Sequence, residues 1–158
     1  MISYIGVDLG QKGAITIQSK LPGSKYQFDI IPFWAHHGGT KLRAPTENEM
    51  YDIIRSILKR SGETYVAIEH PIFMPLNGKK AIASLHENFG LMKGLMIASG
   101  ATHFWYPKPR EWKTLTKANG DDKSAMTKFA ARLTRHKNLN DMTSDSVLIS
   151  EACRLHFK

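Results

Sequence analysis

The sequence holds a single cysteine, Cys153, which excludes an internal disulfide and any multi-cysteine zinc site. No apolar run approaches the roughly 18 residues a membrane span needs. Met1–Ile5 leads straight into an apolar strand pattern, without the basic start and long apolar stretch of a secretory leader. Internal repeats and low-complexity segments are also lacking, which argues against solenoids and biased linkers. Charge is lopsided through the bases rather than the acids: residues 79–158 carry 14 Lys/Arg against 7 Asp/Glu, whereas residues 1–78 carry 8 against the same 7. Between His103 and Lys137 nine basic residues meet only Glu111, Asp121 and Asp122. What is present suits one globular domain spanning 1–158 in a cytoplasmic setting, with 42% hydrophobic and 23% charged residues. A net charge of +8 concentrated in one half points to a polyanionic partner or to a solvated basic surface.

The hydrophobic periodicity lays out the elements in order. Ile2–Leu9, Ala14–Gln18 and Tyr26–Phe33 read as three antiparallel strands, separated by the turn-forming Gly10-Gln11-Lys12-Gly13 and Leu21-Pro22-Gly23-Ser24. Ala35–Pro45, with His36-His37-Gly38-Gly39, reads as an exposed loop. Thr46 and Glu49 have the spacing of a capping box, and a helix follows to about Arg60. Tyr65–Glu69 reads as a fourth strand, Pro71–Lys79 as a loop, Lys80–Ser99 as a long helix and Thr102–Tyr106 as a fifth strand. Pro107–Asn119 is a basic connection with room for a short helix. One helix starts at Asp121 or Asp122, and a last one spans about Thr143–His156. Three meandering strands joined to alternating helices and strands predict an α/β class: a mixed sheet of three antiparallel and two parallel strands flanked by helices.

Two strands end on acids. Asp8 follows Ile5-Gly6-Val7, and Glu69 follows Val66-Ala67-Ile68. Ligands of open α/β sheets bind beyond the strand ends, and two carboxylates facing each other there need a cation to offset their repulsion. Asp141 and Asp145 are four apart, so they share a helix face that continues as Leu148, Ala152 and Leu155. Carboxylates on a core-facing stripe need a partner: a metal shared with Asp8 and Glu69, or a basic residue. Taken singly, Asp8 or Glu69 reads as a loop or cap residue and Asp141 as the N-terminal cap of its helix. Four together match a two-metal phosphodiester site. Lys113, Lys117, Lys123, Lys128, Arg132 and Arg135 are suited to neutralising phosphates, or to a solvated helix face. Lys123 stands at a helix start, where the dipole does not favour a cation. The long helix carries Leu91, Leu95 and Ile97 besides its apolar face, so it is either deeply buried or part of a dimer seam.

At these residues the sequence resembles the RuvC-type Holliday-junction resolvases, including their bacteriophage branch. Gly6-Val7-Asp8-Leu9-Gly10-Gln11-Lys12-Gly13-Ala14-Ile15 is similar to the family's first acidic strand and turn, and Ala67-Ile68-Glu69 to its second acidic motif. Pro109-Arg110-Glu111-Trp112-Lys113 and Gly120-Asp121-Asp122-Lys123-Ser124-Ala125 look like its basic segment. Asp141 and Asp145-Ser146-Val147-Leu148 resemble its C-terminal acidic helix. Leu9 stands where many members have proline, the Glu69-to-Phe73 gap is one residue longer than in cellular enzymes, and the last two acids are four apart rather than three.

The resemblance implies an RNase H-like fold and a homodimer that nicks four-way DNA junctions with Mg²⁺ or Mn²⁺, two ions per site. It implies metal-ligand positions at Asp8, Glu69, Asp141 and Asp145, basic positions near the scissile phosphate at Lys113 and Lys123, and a base-stacking aromatic at Phe73. No nucleotide cofactor is implied. Three rival functions stay open from sequence. One is a broader branched-DNA, flap or RNA–DNA hybrid nuclease, another a junction-binding protein without catalysis. The third is a sugar-kinase or actin-like phosphate binder, whose paired domains 158 residues do not accommodate.

Overall fold

The computed structural model describes the chain apart from residues 10–12, 21–22, 24, 34–45, 73–77, 119–121 and 137–138 and the side chains of Asp141 and Met142. Both predicted hairpin turns lie partly outside the described residues. The loop with His36-His37, most of the loop after Pro71, and Phe73 lie outside them.

Five strands form one sheet: β1 (Ile2–Asp8), β2 (Ala14–Lys20), β3 (Tyr26–Pro32), β4 (Glu63–Ile68) and β5 (His103–Trp105), in the spatial order β3-β2-β1-β4-β5. β1 pairs antiparallel with β2 and parallel with β4; β2 pairs antiparallel with β3, and β4 parallel with β5. The expected mixed sheet is therefore present, and β1 sits at its centre. Glu69 lies one residue beyond β4 rather than inside it.

Strand alternation sorts side chains onto two faces. Ile5, Val7, Ile15, Ile17, Val66 and Ile68 point to one, where they pack with Met50, Ile54 and Leu58 of α1 (Glu47–Leu58) and Met92 and Met96 of α2 (Lys79–Ala98). Thr46 caps α1 through the full capping box with Glu49. Tyr4 and Ala67 point to the other face, against Val147, Leu148, Ala152 and Cys153 of α5 (Asp141–His156). There α3 (Pro109–Thr116) contributes buried Trp112, and α4 (Lys123–Thr134) contributes Met126 and Ala130.

Two alternatives left open for the helices are decided. α5 starts at Asp141, and the residue that caps it is Asn140, whose Oδ1 accepts from Thr143 N at 3.2 Å. Asp141 is thus the first residue of the helix, not its cap. The long apolar helix α2 is not deeply buried: only Met92 and Met96 are, while Leu91 and Ile97 are exposed. Among the described residues no helix is long and apolar enough to cross a membrane.

Candidate active site

The parity that buries Val7 and Ile68 on the α1–α2 side turns Asp8 and Glu69 toward α5. Val7 is the register partner of Ile68, and Glu69 N donates to Val7 O at 3.1 Å, so the two acids leave adjacent parallel strands side by side. Neighbouring strands lie about 4.8 Å apart, close enough for the carboxylates to feel each other strongly.

α5 brings the next acid. It crosses β1 at Gly6, where an added Cβ would overlap the backbone of Ser146, Ile149 and Ser150. Only glycine permits that approach. Thr16 and Ser146 join their hydroxyls across the seam at 2.7 Å, and Ser146, Leu148 and Ala152 are fully buried. This contact fixes the height of Asp145 against the strand ends. Asp145 is 17% exposed; its Oδ2 accepts from Lys123 Nζ at 3.0 Å, while its buried Oδ1 has no partner. Asp141 stands one helical turn earlier on the backbone, and its side chain lies outside the described residues.

Glu69 carries the clearest electrostatic signature. Its carboxyl is pushed up to about 7, first by burial and then by Asp8, with Asp145 adding to the rise. Two groups oppose the shift: the Trp112 indole, whose Nε1 donates to Oε2 at 2.7 Å, and the Lys113 ammonium. Trp112 is 1% exposed, and Lys113 Nζ sits 5.6 Å from the centroid of its ring. A buried indole N–H requires an acceptor, and here the acceptor is the site itself. Sequence reading missed this link, although a tryptophan on the buried face of an amphipathic turn signals such a need. It also missed the role of Gly6 as the seat of α5.

The sequence-derived residues divide in space. Asp8, Glu69 and Asp145 interact electrostatically, with Lys113 and Lys123 beside them. Lys117 lies at the C-cap of α3; Lys128 and Arg132 are exposed on α4. Glu151 is engaged elsewhere, accepting from Gln18 Nε2 at 3.0 Å and Arg154 Nε at 2.8 Å. His70 Nδ1 faces Pro71 O.

Among the described residues no three His, Cys, Asp or Glu side chains already form a metal-ligand cluster. Lys123 supplies the local positive charge to Asp145. The donors nevertheless fit a hard divalent ion: they are all carboxylate oxygens, one buried oxygen of Asp145 lacks a partner, and Glu69 bears the cost of uncompensated negative charge.

No family model and no curated protein matches the sequence. Solved structures do. The structure of Thermus thermophilus RuvC superposes with a TM-score of 0.64 at 11% identity, covering 99% of this chain and 94% of that one. T. thermophilus RuvC in complex with a Holliday junction substrate superposes with the same TM-score at 10% identity and the same coverage. The chain therefore has the RuvC/RNase H-like fold over nearly its whole length.

Proposed function

We propose that this chain is a metal-dependent endonuclease that resolves four-way DNA junctions by paired nicks, leaving 5′-phosphate and 3′-hydroxyl ends. The observation that carries this reading is the meeting of Asp8, Glu69 and Asp145 at the strand ends, flanked by Lys113 and Lys123, on a RuvC-like fold. The junction complex of a structural neighbour supports the choice of substrate.

Asp8, Glu69, Asp141 and Asp145 would hold Mg²⁺ or Mn²⁺, two ions in this reading. Bound divalent cations lower the pKa of water and neutralise charge on the phosphate in the transition state. The protein's own groups prepare the ground. Trp112 orients Glu69 and favours its ionised form, because a hydrogen bond to the charged state stabilises that state. Lys123 holds Asp145 in place, and its 61% exposure leaves it accessible to a phosphate oxygen. Lys113, over the Trp112 ring, adds positive charge beside Glu69. Lys117, Lys128 and Arg132 are assigned to backbone phosphates, and Phe73 to stacking on a base near the crossover.

Symmetric nicking needs two sites, and α2 is the surface proposed to pair them. Leu91 and Ile97 are exposed on it, and a Cβ added at Gly90 or Gly94 would meet nothing within 4 Å, which leaves room for a second helix.

The test compares labelled four-way junction, fork, flap, RNA–DNA hybrid and linear duplex, each with Mg²⁺, Mn²⁺ or EDTA. Paired metal-dependent nicks on the junction support the reading. Preferential cutting of flaps or hybrids would replace it with a broader nuclease, and tight binding without cleavage with a binding protein.

A further inference from the structure

A second cationic feature lies away from the acids, on the same side of the sheet. A cleft of about 450 Å³ opens where the C-terminal end of α4 meets β2, β3 and α5. Lys25, Arg132, Arg135 and Arg154 line it, with Tyr26 and one acid, Glu151. Glu151 is already neutralised by Arg154 and bound by Gln18. Arg132 and Arg135 are exposed and have no acidic partner among the described residues. Arg154 lies 5.3 Å from the centroid of the Tyr26 ring, so an aromatic face and a guanidinium occupy one wall.

The backbone adds an independent sign. Only two non-glycine residues among those described adopt positive φ, and both are basic: Lys117 (56°) and Arg135 (63°). Each occupies a helix C-cap, where glycine or asparagine usually takes up the left-handed conformation. Strain of this kind at long cationic side chains is an observation from which function can be argued. Lys117 lines a neighbouring groove of about 340 Å³ between α3 and α4, and Arg132 borders both that groove and the cleft. Positive charge therefore continues around the end of α4.

We infer that this cleft is a second DNA-backbone site, which grips the duplex arm leaving the active site. The inference rests on the nuclease reading above for the origin of that arm. Lys123 marks the catalytic end of α4, and Arg132 follows nine residues later on the same helix. At 1.5 Å per residue the two positions are about 14 Å apart along the helix axis, so the gripped phosphates lie several base pairs along the arm from the scissile one.

The experiment measures DNA binding in EDTA, so that cleavage plays no part. The R132Q/R135G variant should bind the four-way junction roughly tenfold more weakly and lose about two units of salt-dependence slope, as for two lost phosphate contacts. Neutral methylphosphonates scanned along the arm should weaken the wild type at the gripped phosphates, several base pairs from the nicked one, and leave the variant unaffected there. The single R135G variant relieves the left-handed backbone, so its unfolding temperature should not fall, and Arg132→Lys with Arg135→Lys should restore binding. Wild-type affinity and slope in R132Q/R135G would overturn the inference. Additive losses from the variant and the methylphosphonates would also overturn it, by placing these arginines elsewhere on the DNA. If the wild type shows no preference for junction over duplex, the junction reading fails, while the same salt slopes on duplex still decide the cleft.

Discussion

The two faces of the sheet differ in how they are covered. The α1–α2 face is mainly apolar beside the strand ends that carry the acids, with Ile5, Val7, Ile15, Ile17, Val66 and Ile68 against Met50, Ile54, Met92 and Met96; its buried hydroxyls, Ser3, Ser19 and Thr64, lie at the opposite end of the strands, and α2 rests on it with most of its length exposed. The α5 face is polar in its depths: Thr16, Gln18, Ser144, Ser146, Ser150 and Glu151 are all buried there. Aliphatic packing is non-directional and tolerates small shifts, whereas buried hydroxyls and a glycine seat allow one position. The acids lie on the second face. The proposed site would draw its ligands from two strands and a helix, which requires that helix to be held within a fraction of an ångström, and the polar seam supplies such a constraint.

Several substitutions can break this contrast. Gly6→Val should have the largest effect on folding, about 3 kcal/mol or more, because the new side chain collides with the α5 backbone. Gly90→Ala in α2 meets open space and should stabilise the monomer by about 1 kcal/mol. Urea unfolding of both variants measures the asymmetry directly, and equal losses would erase it.

Glu69 gives a stability that depends on pH. Its carboxyl is raised from 4.5 to about 7, so the unfolded chain ionises first as pH increases. Stability from this group is present below pH 4.5 and is lost as pH rises to about 7. Glu69→Gln should therefore stabilise the metal-free protein at pH 8 by up to roughly 3 kcal/mol, with little change at pH 4. Equal stabilisation at both pH values would show that burial and Asp8 do not act on Glu69 as described.

Trp112→Phe keeps an aromatic ring, though a smaller one, and removes the indole N–H. It should cost about 1–3 kcal/mol in stability and raise the Mg²⁺ concentration for half-maximal cleavage about 10-fold or more, because ligand-orienting partners control metal affinity. An unchanged Mg²⁺ requirement would make Trp112 a packing residue only. The smallest stability change belongs to Ile97→Glu, within about 0.5 kcal/mol for the monomer. Sedimentation should nevertheless show weakened self-association, and an unaltered dimer would move the seam away from α2.

Much of this architecture was legible in the pattern of residues. Asp8 and Glu69 stand out because each interrupts an apolar alternation at a strand end, and Thr46 with Glu49 marks a helix start unambiguously. The start of α5 was harder, since Asn140 and Asp141 are both good caps and only the backbone shows that Asn140 is used. The exposure of α2 was hidden for a different reason: an excess of apolar residues has the same sequence signature whether it is covered by the chain's own core or by another surface. Trp112 and Gly6 act through contacts far apart in sequence, Trp112 with Glu69 and Gly6 with Ser146 and Ser150. Local periodicity contains no term for such contacts.

The central claim is that the acids on the α5 face perform metal-dependent DNA cleavage. Its most direct test measures cleavage and binding of a labelled four-way junction by the wild type and Asp145→Asn, with Mg²⁺ and with EDTA. The expected result is paired nicking by the wild type in Mg²⁺ alone, none by Asp145→Asn, and junction affinity for that variant within about threefold of wild type at equal salt. Cleavage that persists in Asp145→Asn, or loss of binding together with cleavage, would contradict it.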